Sequence, residues 1–309
     1  MKTTRITILA FITFLLSISG LVALSVEAQQ NDKPDLIQTF RVGNQPSALT
    51  FDGQNVWVVC IFPDQVVKLR ASDGVNLGSF DVGGGGYGAA FDGINLWFAN
   101  YYNSTVTKVR PSDAEVLGTF PIVGGSYNVI FDGTSIWVGV GDTLSKLRPS
   151  DGANLGTFYT GGDAYKFTSD GANIWVANEQ EDMVTKMRAS DGTILGQFEV
   201  GDFPYAVTYD GSSIWVANSY DSTVTELRAS DGLPLGTFRV KTNPTDLTFD
   251  GKYIWVASQG EGKVMRFPLG DGGEAKTYAV RGGVDRILFD GHAIWVTSFG
   301  NDTVTKISR

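Results

Sequence analysis

One cysteine and one histidine in 309 residues remove several kinds of chemistry at once. Cys60 has no partner for an intrachain disulfide, so stability must come from packing and closure. His292, alone, excludes a multi-histidine zinc site within one chain. Positive charge is also short: the net charge is −9, so nucleic acid and anionic lipid are repelled at long range and are not expected partners. A long apolar run occurs in one place, from Ile6 to about Leu24. Lys2 and Arg5 precede it and Val26-Glu27-Ala28 follows it, the pattern of a signal peptide over 1–28 cleaved before Gln29 rather than of a retained anchor. The leader holds no cysteine for lipid attachment. The expectation is an exported, periplasmic or extracellular chain, monomeric, with no membrane insertion after cleavage. Helical periodicity is missing outside the leader.

What the chain has instead is a repeat. All seven tryptophans, Trp57, Trp97, Trp137, Trp175, Trp215, Trp255 and Trp295, recur about every 40 residues, each inside a near-copy of one phrase. In the fifth copy Pro204–Tyr209 reads as a strand, Asp210-Gly211 as a turn, and Ile214-Trp-Val-Ala217 and Thr223–Leu227 as the next two strands. The turn Ala229–Gly232 then leads to an outer strand ending near Val240. Short β-branched and aromatic strands at this period predict an all-β, seven-bladed β-propeller of four-stranded antiparallel blades over 35–309, after a tether at 29–34. Leu36–Val42 matches a fourth strand and Thr303–Ile307 a third strand with no fourth after it. The two are expected to pair and close the ring. Because neighbouring blades cover both faces of each sheet, Ile-Trp-Val is apolar throughout, and the tryptophans read as packing between blades.

Chain direction divides the loops. The first-to-second and third-to-fourth turns share one end and repeat monotonously, with Arg70, Arg110, Arg148, Arg188 and Arg228 each beside a turn aspartate. That repetition implies structural ion pairing around the ring, and it makes His292 an exposed turn residue. The opposite end varies from blade to blade, as a site for one ligand requires. At the entry to the inner strands one row reads Ser47, Tyr87, Tyr127, Tyr165, Tyr205, Thr245 and Asp285; the next reads Ala48, Gly88, Asn128, Lys166, Ala206, Asp246 and Arg286. If one row faces the channel mouth, an aromatic arc stands opposite a charged sector. The candidate ligand-binding residues are Tyr87, Tyr127, Tyr165, Tyr205, Asn128, Lys166, Asp246, Asp285 and Arg286, suited to a protein, peptide or glycan. The competing reading packs the tyrosines on the blade-linking loops with their hydroxyls in water.

Gly83-Gly-Gly-Gly-Tyr-Gly88 has the spacing of a dinucleotide fingerprint, but it joins two strands and lacks the helix that would meet a pyrophosphate. A serine triad needs a histidine, and His292 falls at the wrong end. No cofactor is expected. Asp163, Glu179, Glu181, Asp182 and Asp202 leave room for a divalent cation such as Ca2+, without the spacing of a defined calcium loop. Asn103-Ser-Thr and Asn301-Asp-Thr have the form of glycosylation sequons.

The phrases Val-Gly-x-x-Pro, Ile-Trp-Val-Ala-Asn and Ser/Asp-x-Thr-Val-Thr, clearest from Val200 to Thr225, resemble the YVTN-type β-propeller repeat of exported prokaryotic proteins. They are also similar to NHL-type and streptogramin-lyase-like propellers. The likeness covers Leu36 to Arg309 and implies a propeller that binds a partner outside the cytoplasm. Its lyase-like branch implies metal-assisted elimination with a histidine base at the mouth, and its gluconolactonase-like branch implies a divalent metal held by acidic and amide groups. The chain has no histidine there, and Asn128, Asp246 and Asp285 match the second pattern only loosely. A metal-dependent lyase or lactonase is thus the alternative to a non-enzymatic binding scaffold.

Overall fold

The computed structural model describes residues 35–83, 86–269 and 275–308; the expected leader and tether lie outside them. Seven antiparallel four-stranded sheets form a ring, and Gln259–Glu261 is the one helical turn among the described residues. Blade five shows the plan: inner strand Pro204–Tyr209, then Ser213–Asn218, Thr223–Arg228 and outer strand Pro234–Arg239.

The Asp-Gly turn does more than reverse the chain. Asp210 Oδ1 accepts the N–H groups of Ser212 and Ser213 at 2.8 and 2.6 Å, while Oδ2 accepts the Trp215 indole N–H at 2.7 Å. The same carboxylate-to-indole bond recurs from Asp52, Asp92, Asp132, Asp170, Asp250 and Asp290. A polar atom on a buried ring is thereby satisfied, and the turn is locked to the second strand. Burial opposes the charge on Asp52, Asp132 and Asp170, but the indole and backbone donors outweigh it and hold these carboxyls below their usual range.

Each tryptophan packs into the next blade. Trp97 joins Val129, Ile136 and Val138 of blade three, and Trp295 of blade seven joins Val56, Val58 and Val67 of blade one. Polar staples run beside this packing. Lys68, Lys108, Lys146, Lys186 and Lys306 each lie over their blade's tryptophan, 4.8 to 5.3 Å from the ring centroid. Each Nζ then donates to a turn carbonyl of the following blade, for instance Lys146 to Ala189 O at 2.7 Å and Lys306 to Ala71 O at 2.6 Å. Outer-strand phenylalanines supply a third tie. Phe40, Phe120, Phe158 and Phe198 lie so close to Gly74, Gly152, Gly192 and Gly232 of the next blade that an added Cβ would fall within 2.0 to 2.2 Å of a ring carbon.

Closure follows the expected strand exchange. Leu36–Arg41 pairs antiparallel with Thr303–Ser308 along its whole length, and Phe40 packs 5.8 Å from Trp295. The arginines correct one expectation. Arg70, Arg110, Arg148, Arg188 and Arg228 do pair with turn aspartates, but each with the aspartate three residues on in its own exposed turn. The ties around the ring are made by lysine, tryptophan and phenylalanine.

Cys60 is fully buried, and burial pushes its thiol up to about 12, so it behaves as a small core side chain. His292 is an exposed turn residue, as expected.

Candidate functional site

The inner strands carry a bulge at the loop end. In blade four Ala164 pairs with Asn178 and Lys166 with Ala177, leaving Tyr165 as an extra residue; Ser47, Tyr87, Tyr205 and Thr245 occupy the same place in their blades. A bulge re-aims side chains, and here both rows serve the channel where regular alternation would allow one.

In the first row the tyrosines form the expected arc and pack on each other. Ring centroids are 5.5 Å apart for Tyr87–Tyr127, 4.9 Å for Tyr127–Tyr165 and 4.8 Å for Tyr165–Tyr205. The Tyr205 hydroxyl donates to Tyr165 Oη at 2.9 Å. Burial, followed by neighbouring phenols, pushes the hydroxyls of Tyr87 and Tyr127 well above their ordinary value; burial does the same for Tyr205. Tyr87, Tyr127 and Tyr205 are therefore neutral at any physiological pH. The arc also runs further than the row. Tyr101 lies 4.5 Å from Tyr127 and 5.3 Å from exposed Tyr102, while Phe203 lies 6.3 Å from Tyr205 and stacks on exposed Tyr220 at 4.4 Å. The result is an aromatic trail across blades two to five, half-buried in the middle and open at both ends.

The second row lines a central cavity of about 180 Å³ to which every blade contributes an inner-strand residue. Tyr87, Asn128, Lys166, Asp246 and Arg286 all line it, whereas Asp285 does not and instead lies 3.7 Å from Arg286 Nε. Gly88 is part of this wall because a Cβ there would come within 2.8 Å of the Asn128 backbone; the two inner strands meet too closely for a side chain.

Arg286 belongs to blade seven, across the ring from the arc as the row pattern implied, and its side chain reaches over to it. Its Nη2 donates to Tyr165 Oη at 3.2 Å, its Nε to Ser47 O at 3.1 Å, and its guanidinium carbon is 5.8 Å from the rings of both Tyr165 and Tyr205. Burial works against its charge, yet Asp285, Tyr165, Tyr205 and Asp246 together outweigh that and keep it fully protonated. Nη1 is buried without a hydrogen-bond partner. Lys166 Nζ lies 3.9 Å from Asp246 Oδ2, and burial, with Arg286 adding repulsion, brings its pKa down to about 8. Asp246 itself accepts backbone N–H groups on both oxygens, from Leu247 and Ile287 at 3.1 Å each.

Glu179, in the second-to-third loop of blade four, also has a buried oxygen without a partner. Burial and then the Asp163 carboxylate raise its pKa to about 7. Of the other acids considered for a cation, Asp182 accepts the Phe203 N–H at 2.9 Å and so holds the loop that carries one end of the trail. Among the described residues no three His, Cys, Asp or Glu side chains gather as an ion site.

No family model and no curated protein matches the chain. Solved structures do. Virginiamycin B lyase of Staphylococcus aureus, in a catalytically inactive form with quinupristin, superposes with a TM-score of 0.74 at 17% identity, covering 89% of this chain and 99% of that one. The Cps50 (Swd1) β-propeller domain of Myceliophteria thermophila gives 0.75 at 9% identity, covering 89% and 100%. Hydrazine synthase of Kuenenia stuttgartiensis gives 0.74 at 15%, covering 86% and 96%. The fold is a seven-bladed β-propeller. At such identities the likeness is of fold alone, and it spans enzymes and a domain not named as one.

Proposed function

We propose that the chain is an exported propeller of the YVTN type that binds an extended peptide or glycan along its loop face. The observation that carries this is the aromatic trail from Tyr102 to Tyr220, whose middle rings are held in place by their neighbours and whose ends are open. Preorganised aromatic surface gives a ligand contact area at little entropic cost. The alternative of a metal-dependent lyase or lactonase finds less support in the residues. The carboxylates it would place on a metal are engaged already, Asp246 by two backbone N–H groups and Asp285 by Arg286.

Screening the protein against a glycan array and a peptide library tests the proposal. The best binder should be weakened at least tenfold by Tyr127→Ala and by Tyr220→Ala, two changes remote from each other on one trail. Unchanged affinity in both variants would overturn it.

A further inference from the structure

Among the charged side chains that line the central cavity, Lys166, Asp246 and Arg286, the spare hydrogen-bonding capacity is one-sided; Glu179 is not part of this lining. Both Asp246 oxygens already accept N–H groups, whereas Arg286 Nη1 is buried with no acceptor and Lys166 has only a loose 3.9 Å approach to Asp246. Arg286 is only 4% exposed, so it was desolvated on folding without a full set of partners, an arrangement that costs stability unless something completes it. Asn128 adds an amide to the same wall. The cavity of about 180 Å³ has room for several waters, enough for a carboxylate and the first atoms attached to it. It also meets the trail, because Tyr87 lines both.

We infer that the cavity is a carboxylate subsite, in which the Lys166 ammonium and the Arg286 guanidinium receive the acidic head of a ligand whose body lies on the tyrosine trail. This rests on the binding function proposed above. A carboxylate offers two acceptor oxygens, which suits a guanidinium with one terminal nitrogen unpaired and an ammonium whose one carboxylate neighbour is 3.9 Å away. A neutral amide presents one acceptor together with donors that would face Lys166 and Arg286, so the same groups that attract an acid reject its amide.

Benzoate and 4-hydroxyphenylacetate, each against its amide, are the probes, titrated into the whole protein at neutral pH by calorimetry or ligand-observed NMR. The acids should bind at least tenfold more tightly than the amides. Lys166→Met, which keeps the aliphatic stem and removes no hydrogen bond, should bring the acids down to the level of the amides while the thermal melt shows the fold intact. Arg286→Lys, which retains charge but loses the planar fork, should weaken the acids as well. Equal binding of acid and amide, no binding of the acids, or full acid binding by a folded Lys166→Met protein would each overturn the inference. An array ligand that depends on Tyr127 but contains no acid would overturn the subsite and leave the binding function standing. Acid binding that depends on Lys166, beside array ligands indifferent to Tyr127 and Tyr220, would instead overturn the trail.

Discussion

The two ends of this ring are made from the same repeat and treat their polar groups in opposite ways. At the turn end the aspartates accept from tryptophan, lysines reach the next blade, and arginines close on their own turns. Arg266 is the departure there, with its Nε buried and unpartnered while the guanidinium lies 4.5 Å from the Tyr253 ring. At the loop end Arg286 Nη1 and Glu179 Oε1 are buried without partners and Lys166 is held with its charge weakened, while Asn100 Oδ1, Asn178 Nδ2, Asn218 Oδ1, Ser258 Oγ and Ser298 Oγ go unpaired where the second strands end. Repetition lets one end satisfy itself blade after blade. The other end leaves several buried polar groups without a hydrogen-bond partner among the described residues.

The sharpest way to break the contrast is to open the ring. Deleting residues 36–41 removes the whole outer strand of blade seven and the Phe40 contact with Trp295 and Gly74. A thermal melt should fall further than for any single substitution, beyond the ~3 to 5 kcal/mol of truncating a core aromatic, because an exposed strand edge is left as well. A melt near that of the intact chain would refute closure by strand exchange.

Next come aromatic truncations at the two ends. Trp137→Ala should cost ~3 to 5 kcal/mol in chemical denaturation, since the ring is fully buried and Asp132 loses its indole donor. Tyr127→Ala at the loop end, half-exposed and without a strand partner of its own, should cost no more than about 1 to 2 kcal/mol. Equal costs would mean that the arc is structural in the same sense as the tryptophans.

The fold was legible because one aromatic marks each blade and one Asp-Gly marks each turn, so even the closing strand could be placed from its likeness to Leu235–Val240. The site was legible only as two candidate rows. In a strand a shift of one residue exchanges the faces, and the row that meets the channel is undecidable until the bulge at Tyr87, Tyr165 and Tyr205 is seen to turn both inward. The reach of Arg286 across to Tyr165 joins residues 121 positions apart and has no local signature. Tyr101, Tyr102, Phe203 and Tyr220 carried a signal that could have been used: aromatics in the variable loops directly beside the tyrosine row.

Protonation gives a subtler separation of the ends. The Lys166 pKa is about 8 in the folded chain against 10.5 for the free side chain, so between those values the unfolded state binds more protons and stability rises with pH. The cost of burying the ammonium is present in full below pH 8 and relieved towards pH 10.5. Lys166→Met should accordingly melt higher than the parent at pH 7, by on the order of 1 to 2 kcal/mol after the loss of the Asp246 approach, with the gain shrinking as pH climbs. A gain that stays constant from pH 7 to pH 10 would show that Lys166 titrates normally.

The smallest expected effect belongs to the turn end, at the place where its own repetition fails. Gly74, Gly152, Gly192 and Gly232 hold positive φ of 71° to 78° in the third-to-fourth turn, and blade two keeps the same left-handed bend at φ 60° with Ala114. A methyl group there costs about 1 to 2 kcal/mol in backbone strain, which glycine would relieve while losing ~0.5 to 1 kcal/mol through its freer unfolded chain. The methyl and Phe80 pack against the same core cluster, but the glycine blades seat their phenylalanines directly over the turn, so Phe80 has a position to move into. Ala114→Gly should therefore stabilise the protein by up to about 1 kcal/mol in a denaturant melt. A loss of stability would mean that the packing of the methyl on that cluster outweighs the strain, and that blade two has become a true variant of the turn.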